Sequence, residues 1–394
     1  MNQLSLSQRV VGALALVKLR LSGTRAPAVL TPAGTGHNLF LGPANSAAQA
    51  FFWARAVERV DPRVIAQSMA VVRPDDVFGF SVDSRVPLCY SVHSRRWQRR
   101  QFAALTQFDT LLLESGLPVV PGVLQGDPFA QIRALQESGA RVALLFHGSD
   151  IRDPDRHLAV EPHSHFLVDP VLTQQLREVT QVNKALAAAA GVPVYVSTPD
   201  LVDEVSGAVW LPLVVDPSKW RRLEGPLRTP SPVKVVHVPS SSRLKGTDLV
   251  IRALQRVEAE GLVSLDAVTR STHDQMPERY GRADVVIDQL RVGSYGVAAC
   301  EALAAGRVVI SHVSDVVRDR IKEWTGEDLP IVEATPETLE TVLRDIAEHP
   351  ERFREIAARG PEFISRHHSG DRSGQVLASL CFPEATDPVT GRET

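Results

Sequence analysis

Short apolar runs alternate with longer amphipathic stretches along almost the whole chain, and few folds accept that pattern. In the first part the series reads HNLFLGP, a helical stretch over 44–60, then DTLLLESG, DPFAQIRALQESG, RVALLFHGSD, DPVLTQQLREVTQVNKALAAAAG and PVYVSTPDL. Prolines and charges interrupt it at VVDPSKWRRLEGPLRTPSP, after which it resumes with VKVVHVPSSSRLKGTDLVIRALQRVEAEG, SLDAVTR, ADVVIDQL and GRVVISHV. Runs that are apolar at every position suit parallel strands covered on both faces, and each pairs with a helix as a βα unit. A chain of 394 residues is too long for one core. The expectation is therefore α/β, with two Rossmann-like, doubly wound domains facing across a cleft. They cover 1–220 and 221–380; a C-terminal helix near 361–380 packs back on the first domain, and 385–394 is a disordered polar tail.

Composition removes several classes of function. Forty-six acidic residues against forty-three basic ones give a net charge of -3, with no basic excess of the kind that nucleic acid attracts, so any anion site must be local. Cys89, Cys300 and Cys381 lie far apart with no CxxC pair, which implies neither a disulfide framework nor a zinc site and points to a reducing cytoplasm. The apolar run at 10–17 stops at Lys18 and Arg20 and is less than half of the roughly 20 residues that span a bilayer. It is expected to be an amphipathic N-terminal helix.

In open α/β sheets, ligands bind beyond the carboxyl ends of the strands. The loop PSSSRLKGTD follows the apolar strand at 233–238 and precedes a helix opening at Thr247. It gathers Ser241, Arg243, Lys245 and Gly246 at a helix N-terminus, where free amides and the dipole favour a phosphate. No GxxxxGK is present, so it is not a Walker loop, and a solvated basic turn would use the same residues. A second such loop lies in GSYGVAACEALAAGRVV. Gly293, Ser294, Tyr295 and Gly296 lead into a helix starting near Val297, and Glu301 is the one acid in a run of small apolar residues. A buried carboxylate needs a partner, either neighbouring backbone or the paired hydroxyls of a polyol such as ribose.

Together, HVPSSSRLKGTD, YGRADVVIDQL and GSYGVAACEALAAGRVVI resemble the donor-binding domain of GT-B glycosyltransferases, most closely family 4, whose members are retaining enzymes. The resemblance implies a nucleoside-diphosphate sugar as donor substrate, with a UDP-sugar the first choice and a GDP-sugar the second, and no cofactor and no metal. It assigns Lys245 to the donor diphosphate and Glu301 to the nucleotide ribose. Two positions depart from the family pattern. A first Glu usually stands eight residues before the second and meets the donor sugar, where this chain has Gly293; the phosphate Arg usually stands five before the Lys, at Ser240, and Arg243 is the candidate to replace it. On the N-terminal side the resemblance implies an acceptor domain, with His147 near the transferred sugar and Asp150 and Arg152 close by. It implies transfer to an acceptor hydroxyl on a glycan, a lipid-linked sugar or a small molecule, by attack on the face the leaving phosphate vacates. Arg243 and Lys245 are then expected to stabilise the growing charge on the diphosphate.

The remaining motifs divide between functional and solvated roles. Asn45 and Ser46 occupy the first strand-to-helix loop, and the acids of Asp153 and Asp155 imitate a metal-binding DxD. Arg96, Arg99 and Arg100, with Trp97 beside them, suit either a solvated helix face or a peripheral contact with the inner face of the membrane. Two other activities stay open at this point: a GT-B protein without transfer activity, and a nucleotide-sugar epimerase on the same fold.

Overall fold

The computed structural model describes residues 26–76, 78–222, 224–228, 232–239, 241–267 and 272–383. The expected helix around 10–17, Ser240 and the tail at 385–394 lie outside the described residues.

Two parallel sheets organise the chain. The first contains β1 (His37–Gly42), β2 (Val64–Val72), β3 (Ser84–Pro87), β4 (Thr110–Glu114), β5 (Arg141–Phe146), β6 (Val194–Val196) and β7 (Val209–Trp210). Its spatial order is β3-β2-β1-β4-β5-β6-β7, so the winding reverses between β1 and β4. The second contains β8 (Val233–His237), β9 (Val263–Ala267), β10 (Val285–Ile287), β11 (Val308–Ser311) and β12 (Val332–Glu333), in the order β12-β11-β10-β8-β9, and reverses between β8 and β10. This is the doubly wound α/β architecture expected from the alternation. The strands β4 and β10 are buried at every position, as suits their apolar runs Leu111 to Leu113 and Val285 to Ile287, and in β4 the terminal Thr110 and Glu114 are buried as well.

Four helices of the first half open on the same dipeptide. Asp127, Asp153, Asp169 and Asp216 each cap the helix that begins at the following proline, accepting a backbone N–H with the side chain. Proline at the first helical position loses no hydrogen bond there, and the carboxylate satisfies amides that have no partner within the helix. The acids of the DxD-like segment are used in this way. Asp153 caps its helix and pairs with Lys184, while Asp155 pairs with Arg177.

The first strand-to-helix connection departs from the sequence pattern. Helix is expected from residue 44, yet it begins at Gln49, because Asn45, Ala47 and Ala48 adopt left-handed backbone angles. Asn45 holds that turn, its carboxamide donating to the Ser81 carbonyl and accepting from the Phe51 amide. Strands β2 and β3, which the periodicity did not single out, complete the far edge of the first sheet.

The chain returns to the first sheet at its end. The Asp371–Cys381 helix lies on the Gln49–Val60 helix, the Ser373 hydroxyl donates to the Pro212 carbonyl at 2.7 Å and Arg141 reaches the Leu380 carbonyl at 2.9 Å. One continuous apolar core runs through this junction, joining Trp53, Trp210 and Leu213 to Tyr280, Tyr295 and Leu303. No described helix is long and apolar enough to cross a membrane. Cys89, Cys300 and Cys381 are all free thiols.

Candidate functional site

Both winding reversals open onto one space between the sheets. On the first side, β4 ends in Glu114, which is fully buried. One of its oxygens accepts the amides of Ala44 and Asn45 at 2.8 and 2.7 Å, and the other meets Nε2 of His147 at 2.9 Å. His147 follows β5 directly, and its ring stacks on Trp53 at 5.9 Å. Asp150 accepts the amides of His147 and Gly148, which fixes the loop behind the imidazole. Burial opposes protonation of His147, but the carboxylates of Glu114 and Asp150 outweigh it and hold the imidazole above its ordinary pKa.

On the second side, the loops after β8 and β10 meet. Lys245 closes a short helix, Ser242–Lys245, that Ser241 caps through its hydroxyl, and Gly246 follows in the left-handed conformation. The Lys245 ammonium reaches the fully buried Asp288 at 2.5 Å, and the other Asp288 oxygen takes the Gly296 amide at 3.3 Å. Gly296 is also the N-cap of the Val297–Ala304 helix. Gly296, Val297 and Ala298, at the helix end whose first amides lack helical partners, line the space before Lys245, and a Cβ at Gly296 would lie 3.6 Å from the Lys245 ammonium.

Glu301 lies one turn further along. His273 is its protein partner, with Nε2 at 2.7 Å from the carboxylate. Burial pushes the Glu301 carboxyl above the usual range despite that histidine. His273 is held between the rings of Phe80 and Trp220, at 5.5 and 5.7 Å, and its amide donates to the Phe78 carbonyl of the first domain.

These groups line two adjoining cavities. One, of about 250 Å3, has Lys245, Gly296 and Glu301 on one wall, His147 on the opposite wall, and Met276 and Tyr280 as an apolar end. The other, of about 520 Å3, shares His147, Lys245 and Gly296 and adds Asp150, Ser294 and Tyr295. Ser46 lines both cavities, while Asn45 lies in a third of about 360 Å3 within the first domain, beside Phe78 and Phe80.

The remaining sequence candidates are engaged by other protein groups or lie away from the cleft. Arg243 turns to Asp169 across the domain boundary at 3.2 Å. The Tyr295 hydroxyl is buried against His368 at 3.1 Å, so this residue lines the cleft without offering its polar end to it. Arg152 lines the same cavity as His147 and Asp150, with its guanidinium held in a buried pair with Asp200. Arg96, Arg99 and Arg100 are exposed on the Arg95–Leu105 helix, with Trp97 turned into the core. Among the described residues no group of His, Cys, Asp or Glu is arranged to hold a metal ion.

Sequence reasoning missed Glu114, His273 and Asp288. Glu114 and Asp288 carried a legible signal, an acid directly after three apolar residues at a strand end in TLLLE and VVID. His273 carried none, because its pairing with Glu301 depends on folding across 28 residues.

No known family profile matches the sequence, and no curated protein matches it. Solved structures share its fold. Sucrose-phosphate synthase from Thermosynechococcus elongatus superposes with a TM-score of 0.60 at 12% identity, covering 88% of this chain and 98% of that one. Anabaena Alr3699/HepE in complex with UDP and glucose gives 0.54 at 12% identity, covering 87% and 98%. An alpha-glucosyltransferase in complex with UDP-glucose and DNA containing an abasic site gives 0.55 at 11% identity, covering 88% and 98%. The shared fold is the GT-B arrangement of two facing α/β domains.

Proposed function

We propose that this protein is a retaining, metal-independent glycosyltransferase of the family 4 type, moving a glycosyl group from a nucleoside-diphosphate sugar to an acceptor hydroxyl. The observation that carries the proposal is the convergence of Lys245, the N-terminus of the Val297–Ala304 helix and Glu301 on one cavity between the domains. A cation and free amides suit a diphosphate, and a carboxylate one turn along the helix suits the two hydroxyls of a ribose. The apolar end formed by Met276 and Tyr280 then takes the base. Uracil is the first choice, since Alr3699/HepE carries UDP in its complex and the alpha-glucosyltransferase carries UDP-glucose.

The geometry supports a division of roles. Lys245 is paired with Asp288 and gains a second, stronger anionic partner when the diphosphate enters. As the glycosidic bond breaks, negative charge grows on the leaving phosphate, and the ammonium and helix amides stabilise it more than the ground state. His147, made more basic by Glu114, presents a second positive group from the opposite wall, where the sugar would lie between the domains. The adjoining cavity beside Asn45, Phe78 and Phe80 opens on the same space and is the proposed acceptor entry. The acceptor proton passes to the leaving phosphate oxygen, which makes a protein nucleophile unnecessary. Three free thiols fit a cytoplasmic location.

Binding tests the assignment directly. UDP should raise the melting temperature of the full-length protein. Lys245→Ala and Glu301→Ala should each weaken UDP about tenfold to a hundredfold, the worth of a charge-assisted contact. Equal UDP affinity in both variants and the parent would remove the site, and absence of UDP release across a panel of donors with cell extract would remove the activity.

A further inference from the structure

Gly293, in the loop after β10, has a φ of +70°. A Cβ built on it would lie 2.0 Å from Oε1 of Glu161. Glu161 belongs to the other domain, where it follows the Pro154–Val160 helix, and only 7% of its surface is exposed. Its other oxygen meets Nε2 of His312 at 2.7 Å, and Nδ1 of the same ring meets Glu333 at 2.7 Å. Glu333 in turn accepts the Val313 amide at 2.8 Å and Arg318 at 2.9 Å. With a carboxylate on each ring nitrogen, both nitrogens donate and His312 is an imidazolium.

The neighbouring residue is gripped in the same way. His157 of the first domain donates from Nε2 to the Val292 carbonyl at 3.1 Å, while its Nδ1 accepts the Ser164 hydroxyl at 2.7 Å. From here the loop continues into Ser294, Tyr295 and Gly296, which line the cleft.

We propose that Glu161 is a positioning residue that occupies, from the facing domain, the space a side chain at 293 would fill, and that with His312 and Glu333 it latches the cleft loop at 292–296 to the first domain. The carboxylate packed against this point of the loop thus comes from across the boundary and not from the loop itself. Separating the domains requires Glu161 to leave both His312 and the surface of Gly293, so the latch is lost and the loop that carries the cleft-lining Ser294, Tyr295 and Gly296 is released. The proposal rests on the contact between the domains and not on the identity of any donor.

Hydrogen exchange read by mass spectrometry on the full chain, without nucleotide, tests it over residues 289–296. Glu161→Gln and His312→Gln should each speed exchange there about tenfold, and the double variant should be no faster than either alone, as expected for partners in one contact. Unchanged exchange in both single variants, or additive effects in the double, would overturn the proposal. A second experiment covers poor folding of those variants. Gly293→Ala should lower the urea midpoint, and adding Glu161→Ala should recover part of the loss by vacating the space; no recovery would overturn the latch. Failure of UDP to bind the parent protein would remove the transfer activity and leave this outcome untouched.

Discussion

At the scale of single residues, the buried acid behind His147 decides how that imidazole behaves. Glu114 holds Nε2, and its charge keeps the ring protonated to a higher pH than free histidine. Glu114→Gln preserves the shape and removes the charge. The expected outcome is a lower His147 pKa, read from the imidazole resonances in an NMR titration. If His147 acts as the imidazolium, activity falls as pH rises through its pKa, and this substitution moves that fall to lower pH. An unchanged titration would mean that Asp150 supplies the effect. Lys245 and Glu301 were legible beforehand because each stands in a strand-end loop whose residue types suit one ligand part. Their partners Asp288 and His273 were not assigned, and with them the pairing that each ligand contact must displace. The loss of the usual Glu at 293 was legible, but the Glu161 carboxylate that fills its place comes from 132 residues away, beyond the reach of any local pattern.

At the scale of elements, four Asp–Pro helix starts and the apolar runs of the strands explain why the alternation could be read so directly. Local chemistry sets those boundaries. The turn at 44–48 was not legible, since its left-handed angles depend on Asn45 bonding to Ser81 and on Glu114 holding two amides from another strand. Packing of the C-terminal helix rests on one small residue. A Cβ at Gly374 would lie 2.6 Å from the Ala56 carbonyl oxygen and 2.6 Å from a Val60 methyl. Backbone cannot yield as a flexible side chain can, so Gly374→Ala should destabilise the protein by about 1–3 kcal/mol, the usual cost of overpacking. Urea unfolding followed by tryptophan fluorescence measures it; Gly374 is helical without a positive φ, so the loss reports the overpacking and not backbone strain.

At the scale of the whole molecule, two histidines, one half-buried and one buried, tie the domains together and respond to pH in opposite directions. His312 lies between Glu161 of the first domain and Glu333 of the second, with Arg318 on the far side of Glu333. Those two carboxylates raise its pKa from 6.5 to about 10. Its stabilising effect is therefore complete below 6.5, declines above that value and is lost as pH rises through about 10. His368 sits at the junction, donating from Nδ1 to the Leu213 carbonyl and accepting the Tyr295 hydroxyl, with His367 and Arg372 as the nearby positive groups. Burial lowers its pKa from 6.5 to about 4, so its contribution is complete above 6.5 and is lost as pH falls through about 4. The two limbs meet near 6.5, where folding stability should be greatest. His312→Gln should shrink the alkaline limb and leave the acid one, and His368→Gln should shrink the acid limb, to which the buried His157, His165 and His237 also contribute, and leave the alkaline one, in urea midpoints measured from pH 4 to 10. The exposed pairs across the boundary, such as Arg243 with Asp169, should add little at moderate salt. A stability maximum that stays in place and keeps both limbs in both variants would show that neither His312 nor His368 sets the pH dependence of the domain contact.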